Sequence, residues 1–116
     1  MPPGFTPEER EACYEDITDF LEDLRPAPDT RAQLDYRYKV EGLSVLLFEV
    51  RPAWDNPKET LERAFAKITY TRTRDSWKLF WMRANGRWHP YDPAEYPSLE
   101  DALATVRWND MGCFLG

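Results

Sequence analysis

The sequence has few of the residues that build disulfide frameworks and structural metal sites. It contains two cysteines, Cys13 and Cys113, and one histidine, His89, in 116 residues. A structural zinc site ordinarily uses four Cys or His ligands, so this composition excludes one. A disulfide is not expected, because a chain of this length can form a core without cross-links and shows no secretion signal. Both cysteines are predicted to be free, buried thiols, and no cofactor is predicted.

Long hydrophobic runs are also missing. No segment approaches the ~20 apolar residues of a membrane-spanning helix, and the N-terminal Met-Pro-Pro-Gly lacks the basic and apolar regions of a signal peptide. We therefore expect a cytoplasmic protein with no membrane partner. The 42% hydrophobic and 15% aromatic contents exclude a disordered chain. The length predicts a single globular domain over residues 1–116.

Negative charge dominates the sequence, but unevenly. The net charge is −6 at pH 7. Residues 1–24 carry eight acidic and one basic side chain, and residues 92–116 carry five acidic and one basic. Residues 31–91 carry twelve basic and seven acidic side chains, a local net charge of +5. An acidic protein does not generally seek polyanions, but the basic middle segment weakens that exclusion.

Two helices are predicted near the ends of the chain. After a flexible N-terminus at residues 1–5, Thr6 and Glu9 form a capping-box pattern that predicts an acidic helix over residues 7–24. Ser98 opens a second helix over residues 98–108 by the same pattern. A short helix is also predicted after Asn56, from the helical spacing of Leu61, Ala64 and Phe65.

The segment between the end helices, residues 34–91, is predicted to be rich in strands. Its runs of alternating or β-branched residues are typical of strands in hairpins, and Asn85-Gly86 is a strong turn signal. Without any βαβ repeat, this order predicts an α+β fold: a mainly antiparallel sheet of about five strands, with the N-terminal and C-terminal helices packed on one face. The predicted strands are residues 34–40, 43–51, 67–72, 77–83 and 87–91.

Part of the chain resembles a known family. Trp77 to Arg83, Gly86 to Tyr91 and Asp110 to Gly116 carry the resemblance, together with Phe48 to Pro52 and Ala66 to Ile68. Over residues 34–116 the chain resembles a bacterial family of small Trp-rich proteins catalogued as a domain of unknown function. The resemblance implies a small stand-alone bacterial protein and implies no activity.

One candidate catalytic site consists of residues on two strands that we expect to pair. Asp35 and the triplet Glu49-Val50-Arg51 approximate the Asp and Glu-x-Lys arrangement by which many nucleases hold Mg²⁺. Arg51 stands where that arrangement has Lys, and an arginine does not act as a base near neutral pH. The alternative interpretation is that all three residues form cross-strand ion pairs on a solvated face.

His89 is a second candidate, as a general acid or base with Tyr91 on the same strand face. No nucleophile or carboxylate is identifiably paired with it in the sequence. A hydrogen-bonded or exposed histidine beside Trp88 is the alternative interpretation.

The basic residues of the predicted sheet form the candidate binding site. They alternate with apolar neighbours, so several are expected to share one polar sheet face. Such a face can receive phosphates, single-stranded bases or an acidic protein, or it can be a solvated face balanced by the acidic helices. The candidate binding residues are Arg37, Lys39, Lys67, Lys78, Arg87 and Tyr91.

Three hypotheses about function follow from these patterns. The first is a non-catalytic binding module that uses the basic sheet face to meet an acidic protein or a nucleic acid. The second is a metal-dependent nuclease or phosphodiesterase that uses Asp35 and Glu49. The third is a small inhibitor whose acidic N-terminal helix mimics nucleic acid and binds a basic partner.

Overall fold

The fold is a five-stranded antiparallel meander with one helix before it and one after it. The structure, a computed structural model, describes residues 4–24, 35–53, 55–56, 58–83 and 86–108. The elements in chain order are α1 (Pro7–Leu24), β1 (Asp35–Glu41), β2 (Ser44–Pro52), β3 (Thr60–Thr71), β4 (Ser76–Met82), β5 (Trp88–Tyr96) and α2 (Leu99–Trp108).

The sheet order is β1-β2-β3-β4-β5, and each strand pairs antiparallel with the next. Glu41 pairs with Ser44 across the first hairpin, which leaves a two-residue turn. Gly42 begins that turn with a φ of 57°, a conformation that glycine adopts without steric cost. The predicted α+β class and antiparallel sheet are confirmed.

The predicted capping box starts α1 and also ties it to the sheet. The Thr6 amide donates to Glu9 Oε1 at 2.8 Å, and the Glu9 amide donates to Thr6 Oγ1 at 3.2 Å. Arg72, in the β3–β4 turn, donates to both Glu9 carboxylate oxygens at 3.0 and 2.8 Å and to the Gly4 carbonyl at 2.7 Å. The hydrogen bonds from Arg72 are the largest cause that holds the pKa of Glu9 below its usual value.

Phe5, which precedes α1, packs against the sheet. Phe5 is only 8% exposed, and its ring stacks on Trp77 with 5.8 Å between ring centroids. The prediction of a flexible segment at residues 1–5 is therefore wrong for Phe5, because an aromatic platform on the sheet buries it. Residues 1–3 lie outside the described residues.

The short helix predicted after Asn56 is wrong, because residues 60–71 form strand β3. A β-bulge in this strand explains why its sequence pattern resembles that of a helix. Leu47 pairs with Ala66 while Phe48 pairs with Ala64, so Phe65 is an extra residue without a cross-strand partner. Phe65 and Ala66 are both buried, which breaks the two-residue alternation of a strand and imitates helical spacing.

Strand β5 runs to Tyr96, beyond the predicted end at Tyr91. Pro90 and Pro93 lie within it. β5 is an edge strand, with β4 as its one neighbour in the described sheet, and an edge tolerates residues that lack an amide donor.

Both helices pack on the same face of the sheet, as predicted, and close one core. Ile17 of α1, Val106 of α2 and Leu79 of β4 belong to a single cluster of buried side chains, and all three are fully buried. Ser98 Oγ accepts a hydrogen bond of 3.1 Å from the Asp101 amide and so caps α2, as the sequence predicts. In the described part of the chain, no helix is long and apolar enough to cross a membrane.

We predict that Leu79→Ala lowers the free energy of unfolding by about 2–5 kcal/mol, because it leaves a cavity where the helices meet the sheet. Leu61→Ala is the matched control, since Leu61 is 54% exposed and its truncation should cost less than about 0.5 kcal/mol. Chemical denaturation of both variants measures the difference. Equal losses would show that the core is not where the structure places it.

Candidate functional site

The register of the sheet separates two faces. Cross-strand partners point to the same side and successive residues alternate, so the face opposite the helices can be read from the pairing. We call it the outer face. One row of consecutive partners crosses all five strands on it: Lys39, Leu46, Lys67, Phe80 and Pro90.

A second row on the outer face lies beside the first. Arg37 pairs with Phe48, and Phe48 pairs with Ala64. Met82 pairs with Trp88 and continues this row on β4 and β5, because each lies two residues from a member of the first row. We call the two rows together the central band. The band holds three basic and three aromatic side chains and no carboxylate.

Acidic side chains on the outer face lie outside the central band. Asp35 and Glu62 share a row with Val50 on one side of it, and Glu41 and Glu95 share a row with Lys78 on the other side. The outer face therefore has acidic margins and a basic, aromatic centre.

Two lysines of the central band lie over aromatic rings. Lys39 Nζ is 5.2 Å from the centroid of the Phe48 ring, and Lys67 Nζ is 5.8 Å from that of Phe80. These distances are within the range of cation–π attraction. Leu46, between the two lysines, is 9% exposed, and long aliphatic stems such as theirs can cover an apolar neighbour.

One carboxylate compensates part of the basic charge. Arg37 Nη1 is 3.0 Å from Glu62 Oε1, and Lys39 Nζ is 3.9 Å from Glu62 Oε2. Among the described residues, Lys67 and Lys78 form no ion pair with a carboxylate. The positive charge of the outer face is thus least compensated at Lys67, because Lys78 has Glu95 as its cross-strand partner. The helices do not balance it, because they lie on the other side of the sheet.

Four of the six candidate binding residues share one face of the sheet, and two do not. The outer face holds Arg37, Lys39, Lys67 and Lys78. Tyr91 does not lie on it, because it follows Pro90 on β5 and so points to the opposite face, where it is 6% exposed within the core.

Arg87 is exposed in the β4–β5 turn, outside the strands, and its carbonyl accepts a hydrogen bond of 3.0 Å from the Arg83 amide.

The alternation of side chains between the two sheet faces also separates the two carboxylates of the metal-site hypothesis. Asp35 pairs with Val50, and Glu49 pairs with Tyr36, so Asp35 and Glu49 point to opposite faces of the sheet. The two carboxylates therefore cannot hold one metal ion. Within the described ranges, no group of three or more His, Cys, Asp or Glu side chains is placed to hold a metal.

Glu49 is instead held by two arginines on the helix side of the sheet. Its side chain is 12% exposed; Arg51 Nε donates to Glu49 Oε1, and Arg63 Nη2 lies 3.6 Å from Oε2. Burial, and then the charge of Glu49, raise the pKa of the neighbouring Tyr36. Glu49 and Arg51 form an ion pair, but within β2 and not across strands, and Asp35 takes no part in that pair.

His89 pairs with Trp81 on the helix side, with 6.2 Å between the ring centroids. Its Nε2 atom is buried and makes no hydrogen bond. Tyr91 is on the same side, as predicted, but belongs to the core. Over the described residues, no carboxylate or nucleophile contacts His89, so a catalytic role has no support from the geometry.

The acidic residues of α1 meet α2 in a groove of about 440 Å³. Asp16 and Asp19 of α1 and Glu100 of α2 line it, with Phe20 and the exposed Trp108. Burial, followed by the charges of Glu100, Asp19 and Glu15, raises the pKa of Asp16.

We predict that Asp16→Asn stabilises the protein at neutral pH by about 0.5 kcal/mol, the size typical of partly exposed charge interactions. A carboxyl with a raised pKa binds its proton more tightly in the folded state, so its ionised form destabilises the fold above that pKa. The gain should shrink as the pH falls and Asp16 becomes protonated. Thermal melts across this range test it, with the exposed Asp55→Asn as control. A gain that persisted in acid would contradict the assignment.

Cys13 is free and 5% exposed, as predicted, and Cys113 lies outside the described residues. Burial, with smaller contributions from Asp16 and Glu9, raises the pKa of Cys13 to about 11. In a Cys113→Ser variant, we predict that Ellman's reagent reacts slowly at neutral pH and rapidly after denaturation, because the thiolate is the reactive form. Rapid reaction of the native variant would contradict this burial.

Comparison with curated proteins found no match, and comparison with solved structures found none. One family model, described as a domain of unknown function, matches residues 5–116. The match extends beyond the resemblance seen in residues 34–116, since it includes α1. The bacterial origin that the resemblance implies stays a prediction. The chain therefore belongs to the family described as a domain of unknown function, DUF3024.

Proposed function

We propose that this protein is a non-catalytic binding module that takes an anionic partner on its outer face. The observation that carries the proposal is the row Lys39, Leu46, Lys67, Phe80 and Pro90, which crosses all five strands without a carboxylate. A sheet face covered only by solvent is normally lined by polar side chains. Here basic and apolar side chains alternate, and acidic ones lie at the margins.

The ion pairs on the outer face do not prevent binding. Arg37 and Lys39 share Glu62, but their side chains remain 61% and 60% exposed. Exposed pairs contribute about 0–1 kcal/mol, so a partner's anionic group can replace Glu62 at small cost. Lys67 and Lys78 need no such exchange.

The other hypotheses receive less support. The nuclease hypothesis depended on Asp35 and Glu49 acting together, and they lie on opposite faces. The inhibitor hypothesis, in which acidic α1 mimics nucleic acid, stays a prediction. The acidic groove between the helices is consistent with a basic partner, but no described feature beyond its charge selects one.

We predict that Lys67→Glu with Lys78→Glu weakens binding of polyanions, because it places negative charge at the two outer-face lysines that form no ion pair in the described part of the chain. Fluorescence anisotropy measures binding, with labelled oligo(dT) and labelled poly-L-glutamate as probes. The wild-type protein should bind at least one probe at low salt, and the double variant should lose at least about tenfold in affinity.

Arg107→Glu is the matched control, because Arg107 lies on α2 at the groove on the helix side. The Arg107→Glu substitution changes the net charge by the same amount per residue as the two lysine substitutions do. This variant should retain most of the wild-type affinity for the probe. Thermal melts show whether each variant is folded. If the wild-type protein binds neither probe, or if the control loses as much affinity per charge as the double variant, the outer face is not the binding site.

A further inference from the structure

We infer that the anionic partner is a single-stranded nucleic acid, whose bases stack on the aromatic side chains of the central band while its phosphates meet the lysines. The inference rests on the proposed function and specifies its partner. The basic side chains alone would be enough to bind an acidic protein. The aromatic side chains of the band are the feature that distinguishes the two partners.

Three aromatic side chains lie on the outer face, one on each of three strands. Phe48 is on β2, Phe80 on β4 and Trp88 on β5, and each is partly exposed. Neighbouring strands are about 4.8 Å apart and adjacent rows about 6.8 Å, so Phe48 and Phe80, two strands and one row apart, are separated by roughly 12 Å. Phe80 and Trp88 are diagonal neighbours on adjacent strands, about 7–8 Å apart. Rings spaced in this way can each receive a different base along one strand.

Each phenylalanine of the band has a lysine beside its ring. Lys39 lies over Phe48 and Lys67 over Phe80. A base that stacks on such a ring displaces the flexible lysine from it and brings a phosphate within reach of the same ammonium group. Stacking platforms interleaved with basic side chains are how proteins bind single strands without sequence preference.

The geometry favours a single strand over a duplex. Paired bases are stacked on each other and present only their edges, so the partly exposed rings of a broad sheet face cannot stack on them. A single strand can lay its bases on the rings one at a time. The carboxylates of the outer face lie on both sides of the central band, Asp35 with Glu62 on one side and Glu41 with Glu95 on the other, so a strand on the band meets no carboxylate of the band itself.

The test compares oligo(dT) of about 12 nucleotides with poly-L-glutamate and with a duplex of equal length. The wild-type protein should bind oligo(dT) most tightly. The logarithm of affinity should fall with the logarithm of salt concentration with a slope of about −2, as expected for three phosphates neutralised by Arg37, Lys39 and Lys67.

Phe80→Leu should lower oligo(dT) affinity about tenfold, because it removes the ring and keeps an apolar side chain, while poly-L-glutamate binding should not change. Phe80→Tyr keeps the ring and should bind as the wild type does. Trp88→Leu is a second ring deletion that keeps the test valid if Phe80→Leu does not fold. Trp108→Leu is the aromatic control, since Trp108 is 76% exposed on α2.

The outcomes separate this inference from the proposed function. If poly-L-glutamate binds and oligo(dT) does not, or if both ring deletions bind oligo(dT) normally, the nucleic-acid inference is wrong and the anion-binding face remains. If the duplex binds as tightly as the single strand, stacking is not the mode of recognition. If neither polyanion binds, the proposed function itself fails.

Discussion

Both helices of this protein pack on one face of the sheet, and a single cluster of buried side chains joins them to it. A chain of this size supports one hydrophobic core. Both described helices contribute to that core, and neither covers the other face of the sheet. That constraint decides which side chains meet solvent. Ile17, Leu79 and Val106 are fully buried on the covered side. On the opposite side, apolar residues such as Leu46 and Phe80 alternate with lysines across the strands.

The strand register then decides which chemistry is possible. Because successive residues alternate between faces, Asp35 and Glu49 are close in the sheet but cannot act on one ligand. The same alternation places Lys39 and Lys67 on either side of Leu46. The bulge at Phe65 also has a function in the fold, since it directs one additional side chain into the core without moving Lys67 from the outer face.

The distribution of charge has a structural explanation. The acidic helix α1 lies on the side of the sheet away from the lysines of the outer face, so the −6 net charge is not a uniform property of the surface. Compensation on the outer face is local and comes from Glu62. The basic centre and the acidic helices can therefore act toward partners of opposite sign.

The sequence by itself determined the two end helices, their caps at Thr6 and Ser98, the antiparallel α+β class and the buried Cys13. These features depend on residues that are close in the chain, through helical spacing, capping and turn signals. The first part of strand β3, residues 60–66, escaped prediction because its bulge arises from pairing with β2, a contact between distant segments. The tertiary structure alone decided that Tyr91 is buried, that Asp35 and Glu49 are separated, and that the helices leave the basic face uncovered. Each of these three outcomes depends on the strand register and on the sheet face against which the helices pack. Both are set by packing between segments that are distant in the chain.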